Sequence, residues 1–136
     1  MHRVTKELHF CYGHRLLNYN GKCRFLHGHN GIAVITLESD HLDSLGMVMD
    51  FTKIKTVMQS WIDQELDHKM ILHQDDPLLP TLRSLNEPFY LLEVNPTAEN
   101  LAKLIFDYAQ KQHFPVSEVS LWESPNSYAT YRPTPI

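Results

Sequence analysis

Cysteine is scarce in this chain of 136 residues, which holds only Cys11 and Cys23. Two thiols are too few for the disulfide frameworks that staple small secreted domains. Long apolar runs are lacking as well, and none approaches the roughly 20 residues that cross a bilayer as a helix. The opening MHRVTKELHF has no apolar stretch of the kind a secretory signal needs. Together these features predict a cytoplasmic protein with reduced thiols. Positive charge is not in excess either: 12 Lys and Arg stand against 16 Asp and Glu, a net charge of −4. That balance argues against sequence-independent nucleic-acid binding, where basic side chains supply most of the affinity, and against a polybasic membrane anchor. No repeat, low-complexity tract or Gly/Ser linker divides residues 1–136, so a single domain is expected. The residue present in unusual number is histidine, of which there are nine.

Residues 4–14 suit a strand with Leu8, Phe10, Tyr12 and His14 on one face. A turn over residues 18–21 follows. Residues 27–38 form the strongest strand candidate, because GIAVITLE is rich in β-branched side chains. A polar turn then leads to a short strand at 47–49. From Asp50 the period changes: Phe51, Ile54, Met58, Trp61, Ile62 and Leu66 recur at three- and four-residue steps, the mark of an amphipathic helix. A second helix is expected from Pro96-Thr97, capped by Thr97, with Leu101, Leu104, Ile105 and Tyr108 inward. The proline-rich segment between them reads as a loop with one short helical turn after Asp76-Pro77. Residues 90–94 read as extended, 116–123 as a strand, and 128–132 as its hairpin partner. The pattern predicts an α+β fold, an antiparallel sheet with both helices on one face. Its open edges invite pairing with another copy of the chain.

His27-Gly28-His29 opens the best strand. Side chains two apart share a face, so both imidazoles can converge on one ion at about 2.0–2.1 Å, with His14 placed to supply a third ligand. Three nitrogen ligands leave a fourth position open, as a catalytic zinc requires. An H-x-H pair is also common without metal, and His14 equally suits a hydrogen-bonded histidine on a half-buried strand. Cys23 lies four residues before His27 between Lys22 and Arg24, where a thiolate could serve as general base. It could equally be a fourth zinc ligand or an inert thiol. Asp67 can fix the tautomer of His68 and tune it for proton transfer, although a histidine at a helix C-terminus is the plainer explanation. Glu123 shares a face with Val119 and Leu121, as either an edge charge or a buried anchor for a ligand's N–H groups.

Taken together, Phe10-x3-His14, Cys23-x3-His27-Gly28-His29-Asn30, Gly46-Met47-Val48-Met49-Asp50-Phe51, Leu66-Asp67-His68, Pro96-Thr97-Ala98-Glu99-Asn100 and Trp122-Glu123 resemble the 6-pyruvoyltetrahydropterin synthase family over nearly the whole chain. The resemblance implies a tunnelling fold: a four-stranded antiparallel sheet with two helices on one face. Subunits would join their sheets into a barrel, as a homohexamer built from two trimers. It implies Zn2+ on His14, His27 and His29, with Cys23 as proton acceptor. Asp67 and His68 would form a second acid/base element. Glu123 would anchor the pyrimidine ring of a pterin, and Thr97 and Glu99 would help to bind substrate.

The C-x3-HGH spacing is similar to that of the bacterial 6-carboxytetrahydropterin synthases of queuosine precursor biosynthesis. That branch implies conversion of 7,8-dihydroneopterin triphosphate to 6-carboxy-5,6,7,8-tetrahydropterin, acetaldehyde and triphosphate. The alternatives are a pyruvoyl-type triphosphate elimination, another cleavage of a dihydropterin side chain, or a non-enzymatic pterin-binding or structural zinc protein. Gly31 stands where the family usually carries an aromatic, which implies a wider pocket or a moved strand. The segment 75–88 is long for the family and is expected near a subunit interface or the site mouth.

Overall fold

The structure is a computed structural model that describes residues 1–135. Strand β1 (His2–His14) and strand β2 (His27–Ser39) pair antiparallel along their whole length, from His2 opposite Ser39 to His14 opposite His27. Side chains alternate across such a ladder, so one register assigns every residue to a face. Leu8, Phe10 and Tyr12 fall on the same face as Ala33, Ile35 and Leu37, and all six are buried.

Helix α1 (Phe51–Glu65) begins where the Asp50 carboxylate accepts the Thr52 N–H at 2.8 Å. It buries Ile54, Met58 and Ile62, with Leu66 sealed just beyond its end. Phe51, expected on the inward stripe, is half exposed at its first position. Trp61 is only partly buried; it lies flat on Tyr108 with ring centroids 4.4 Å apart. The second long helix (Ala98–Lys111) is the third in chain order, α3, and buries Leu101, Ala102, Ile105, Phe106 and Ala109. Leu104 and Tyr108, also expected inside, stay at its half-buried margin. Strand β5 (Val116–Ser124) adds antiparallel to β2, and β6 (Ser127–Tyr131) completes the hairpin. Each fully buried Leu or Ile contributes about 1.5–3 kcal/mol, so the ten or so in this layer hold both helices to one face of the sheet.

The sheet has six strands, not four, and it is mixed rather than antiparallel. Strand β3 (Lys69–His73) follows α1 after three residues and pairs parallel with the end of β1. Strand β4 (Phe89–Leu92) pairs parallel with β3, giving the order β4-β3-β1-β2-β5-β6. Both are too short for periodicity to register, and their partners lie far off in sequence. Between them the helical turn expected after Asp76-Pro77 grows into helix α2 (Leu79–Ser84). Its Leu79 and Leu82 pack on Leu72 in a second, smaller cluster with Met70 and Phe89. Ile71 belongs to the main core, so α2 covers the opposite face from α1 and α3.

Residues 47–49 form no strand. Asp43 instead closes the turn on itself, its carboxylate accepting the N–H groups of Leu45 at 2.9 Å and Met47 at 3.0 Å. Gly46, at φ 87°, supplies the left-handed step that such a turn needs. No helix of the described residues is long and apolar enough to cross a membrane.

Candidate functional site

The helix-covered face ends, at the last rungs of the β1–β2 ladder, in three imidazoles. His14 lies opposite His27, and His29 lies opposite Tyr12. The ring centroids of the three are 4.4–5.1 Å apart, and one nitrogen from each falls within 4.8 Å of the others. The structure therefore brings together the trio that the sequence singled out.

Backbone carbonyls aim these rings. His14 Nδ1 donates to the Pro96 carbonyl at 2.7 Å, and His27 Nδ1 donates to the Phe25 carbonyl at 2.8 Å. A carbonyl can only accept, so both rings carry their proton on Nδ1 and present a free lone pair at Nε2, the arrangement a metal-ligating histidine needs. Burial pushes the His14 pKa down to about 4; the Pro96 hydrogen bond opposes this, and His27 and His29 add to it. His14 is thus neutral at neutral pH, ready to ligate. Its Nε2 lies 3.1 Å from His29 Nε2. Two nitrogens on one tetrahedral ion at 2.0–2.1 Å stand about 3.3 Å apart. The donor set fits zinc.

Glu123, at the end of β5, reaches the same point: its Oε2 is 3.5 Å from His14 Nε2 and 3.4 Å from His29 Nε2. It is a partly buried acid beside the triad rather than an edge charge.

The Pro-Thr-Ala-Glu-Asn motif lies behind His14. Thr97 caps α3, its hydroxyl accepting the Asn100 N–H at 3.1 Å, while Pro96 supplies the carbonyl that orients His14. Asn95, to which sequence reasoning gave no role, grips Leu17 by both backbone groups at 2.8 and 2.9 Å. Arg15, next to His14, pairs with Asp76, whose side chain is fully buried. That pair was likewise missed. An arginine beside a metal-ligand candidate and an Asp-Pro 61 residues on was the only signal of it. Glu99 is exposed on the first turn of α3, apart from the triad's contacts.

Cys23 sits partly buried in a short 3-10 turn (Lys22–Arg24) whose Cys23 carbonyl accepts the Leu16 N–H at 2.8 Å. That bond ties its loop to the segment just after His14. The thiol is outside the cluster of candidate ligand atoms, which among the described residues is His14, His27 and His29 alone. A closed four-ligand site completed by Cys23 therefore finds no support.

Asp67 and His68 bracket the Cys11 backbone. Asp67 Oδ1 accepts the Cys11 N–H at 2.9 Å, and the His68 N–H donates to the Cys11 carbonyl at 2.7 Å. His68 adopts φ 59°, a left-handed step that turns its side chain back onto Asp67. Its Nδ1 meets Asp67 Oδ2 at 2.7 Å, leaving Nε2 free on an exposed ring. Burial raises the Asp67 carboxyl, but the Cys11 N–H and His68 outweigh it and hold the pKa below the usual range. The pair therefore has more structure than a histidine decorating a helix end.

His68 lines an open cleft of about 600 Å3 together with Cys11, Gly13, Asn30, Met70 and Pro88. In register, Cys11, Gly13 and Asn30 face away from α1 and α3. His27 and His29 also touch this cleft, on either side of Gly28, which pairs with Gly13. The long segment 75–88 contributes Glu87 and Pro88 to its lining.

Gly31 does not move the strand. The ladder passes through Phe10 opposite Gly31 without a break, and the Tyr12 ring lies over the glycine.

Comparison with known proteins places this geometry. A 6-carboxy-5,6,7,8-tetrahydropterin synthase of Rickettsia felis is 38% identical over 135 residues, covering 94% of this chain and 98% of its own. The human 6-pyruvoyl tetrahydrobiopterin synthase is 32% identical over 145 residues, covering 96% and 90%. The crystal structure of an uncharacterized protein from Wolinella succinogenes superposes with a TM-score of 0.81 at 30% identity, covering 96% and 97% of the two chains. The profile of 6-pyruvoyl tetrahydropterin synthase matches residues 3–134, a span that takes in the triad, the Asp67-His68 pair and Glu123, and the chain belongs to that family.

Proposed function

We propose that this protein is a zinc-dependent carbon–carbon lyase that converts 7,8-dihydroneopterin triphosphate to 6-carboxy-5,6,7,8-tetrahydropterin, releasing acetaldehyde and triphosphate. The observation that carries the reading is the triad itself: three imidazoles, two of them locked by carbonyls with Nε2 free, beside a carboxylate at 3.4–3.5 Å. The 38% identity to a synthase of that name supports this product over the pyruvoyl one.

Zinc on His14, His27 and His29 would supply a Lewis acid for the substrate's side-chain hydroxyls. Glu123 would accept the ring's N–H groups and so set the ring's distance from the metal. Cys23, as thiolate, would take a proton from the side chain. His68, its Nδ1 held by Asp67, would move a proton at Nε2. Thr97 and Glu99, at the N-terminus of α3, would help to bind substrate.

Asp67 and His68 lie on the cleft side of β1, which His27 and His29 also touch, whereas the His14–Glu123 contact lies on the helix side. This division favours a site assembled from two copies, His68 of one serving the triad of another. It agrees with a homo-oligomer of joined sheets, a hexamer in the reading of the sequence.

The test is a product assay. Zinc-loaded protein is incubated with 7,8-dihydroneopterin triphosphate, and pterins and acetaldehyde are identified by mass, alongside Cys23→Ala. A 6-carboxy pterin with acetaldehyde, lost in the variant, is expected. A pyruvoyl product would move the protein to the other branch. Absence of turnover with zinc bound would defeat the enzymatic reading for this substrate.

A further inference from the structure

Tyr12 is 4% exposed, yet among the described residues its hydroxyl is the buried side-chain polar atom that finds no hydrogen-bond partner. A buried hydroxyl left unpaired is costly, and such groups mark places where a partner arrives in another state. The ring is fixed from several sides. It stacks on Phe10 with centroids 5.2 Å apart, and lies 5.3 Å from the His14 ring and 5.6 Å from the His29 ring. Below it is Gly31, where a Cβ would stand 2.9 Å from Tyr12 Cε1 and 3.5 Å from Phe10 Cε1. The first of these is shorter than real Cβ contacts, so a side chain at position 31 would force the Tyr12 ring to shift.

The acid on this face is Glu123, whose Oε2 is 3.5 and 3.4 Å from the same two imidazoles that flank Tyr12. The Tyr12 hydroxyl stands toward the Glu123 carboxylate, and a phenol carries its proton at neutral pH and so is a donor. The His14 Nε2 lone pair has no proton to give the carboxylate, and with a metal on the triad His29 Nε2 would have none either. The phenol is then the donor left on this face. A carboxylate has about four lone-pair positions. A donor engaging one of them fixes how the remainder are presented to the paired N–H groups on the edge of a pterin ring.

We propose that Tyr12 is a positioning residue for Glu123: its hydroxyl donates to the carboxylate and sets the orientation that receives the pterin ring, and Gly31 gives the tyrosine ring its room. This rests on the reading of Glu123 as the ring's anchor.

The experiment is a double-mutant cycle on zinc-loaded protein: wild type, Tyr12→Phe, Glu123→Gln and the pair. Tyr12→Phe keeps the ring, so folding is not at issue. Its expected effect is a rise of about tenfold in KM with kcat within about threefold and zinc stoichiometry unchanged, as loss of uniform binding gives. Without substrate, its thermal midpoint should fall by about 5–10 °C, the size of one charge-assisted hydrogen bond in a chain this long. In the Glu123→Gln background both shifts should shrink to less than half. Gly31→Ala, whose Cβ displaces the ring, should reproduce the rise in KM; an unchanged KM would overturn the part assigned to Gly31. Wild-type values in Tyr12→Phe, or equal shifts in both backgrounds, would overturn the proposal as a whole. Were the wild type not to turn over this substrate, the functional reading would fail. The thermal cycle would still decide whether Tyr12 and Glu123 are coupled.

Discussion

The two faces of the β1–β2 hairpin carry opposite kinds of chemistry. On the face covered by α1 and α3, a packed apolar layer runs from Leu8 and Leu37 to Phe10 and Ala33 and ends in His14, His29 and Glu123. On the other face, Cys11 bonds Asn30 at 2.9 Å, and Asp67 and His68 stand beside an open cleft. His14 is 3% exposed, whereas the His68 side chain is 78% exposed. The difference teaches what each kind of group needs. Metal ligands want fixed rings and low dielectric, and a close-packed layer with carbonyl partners provides both. A proton carrier wants access, and an exposed ring steered by one carboxylate provides that.

The largest expected effect breaks this division directly. His14→Ala should abolish metal binding and activity, and His68→Ala should retain the metal while losing about 10^2–10^4-fold in kcat. If the two faces serve one another across subunits, dissociating and reassembling the two inactive variants together should restore activity. The yield expected is roughly a quarter of wild type, the chance that a site joins an intact triad to an intact His68. No recovery after reassembly would place both groups' work within one chain.

A smaller effect sharpens the account of the packed face. Asp76 accepts from Arg15 and from the Leu78 N–H, and Arg15 holds its carboxyl below the ordinary range. A depressed folded pKa stabilises the protein above the unfolded value near about 3.9, and this is lost as pH falls through the folded value. Asp76→Asn should therefore cost about 2 kcal/mol at pH 7 by chemical denaturation. The gap from wild type should begin to narrow only below about pH 3.9 and close as pH falls through the lower folded value. A gap that stays constant down to that pH would show that charge is not what Asp76 contributes.

The smallest effect concerns Thr97. Removing the cap with Thr97→Ala should cost about 1 kcal/mol of stability. Because Pro96 adjoins it, a modest loss of zinc affinity should accompany the change. A change in KM with stability untouched would assign Thr97 to substrate rather than to the cap.

Much of this arrangement was legible in the sequence, for identifiable reasons. The alternation of Leu8, Phe10, Tyr12 and His14 reports its own face, because a strand buried on one side must alternate. Ile54, Met58 and Ile62 report theirs by helical spacing. Thr97 was readable as a cap, and the triad was readable because its members lie within one hairpin. Strands β3 and β4 were not readable as part of the sheet: KMILH and FYLL are short apolar runs without period, and their parallel pairing depends on partners tens of residues away. Phe51 misled because a first-turn position can satisfy helical spacing and still lie beyond the core's edge. The Arg15–Asp76 pair and the Pro96 carbonyl behind His14 were invisible, since backbone acceptors and contacts across 61 and 82 residues leave no local mark.

The bond from His14 to Pro96 also sets an order of events during synthesis. All three imidazoles lie between residues 14 and 29, so closing their loop costs little chain entropy, and the ligands leave the ribosome together. The carbonyl that fixes the first of them is made 82 residues later. A metal ion, if the triad holds one as proposed, would meet all its ligands on the early hairpin, with His14 oriented only once the Pro96 carbonyl is in place. With a metal on the triad, as proposed, loss of that bond would loosen one of three ligands, so the exchange rate of the ion would report on opening at the start of α3.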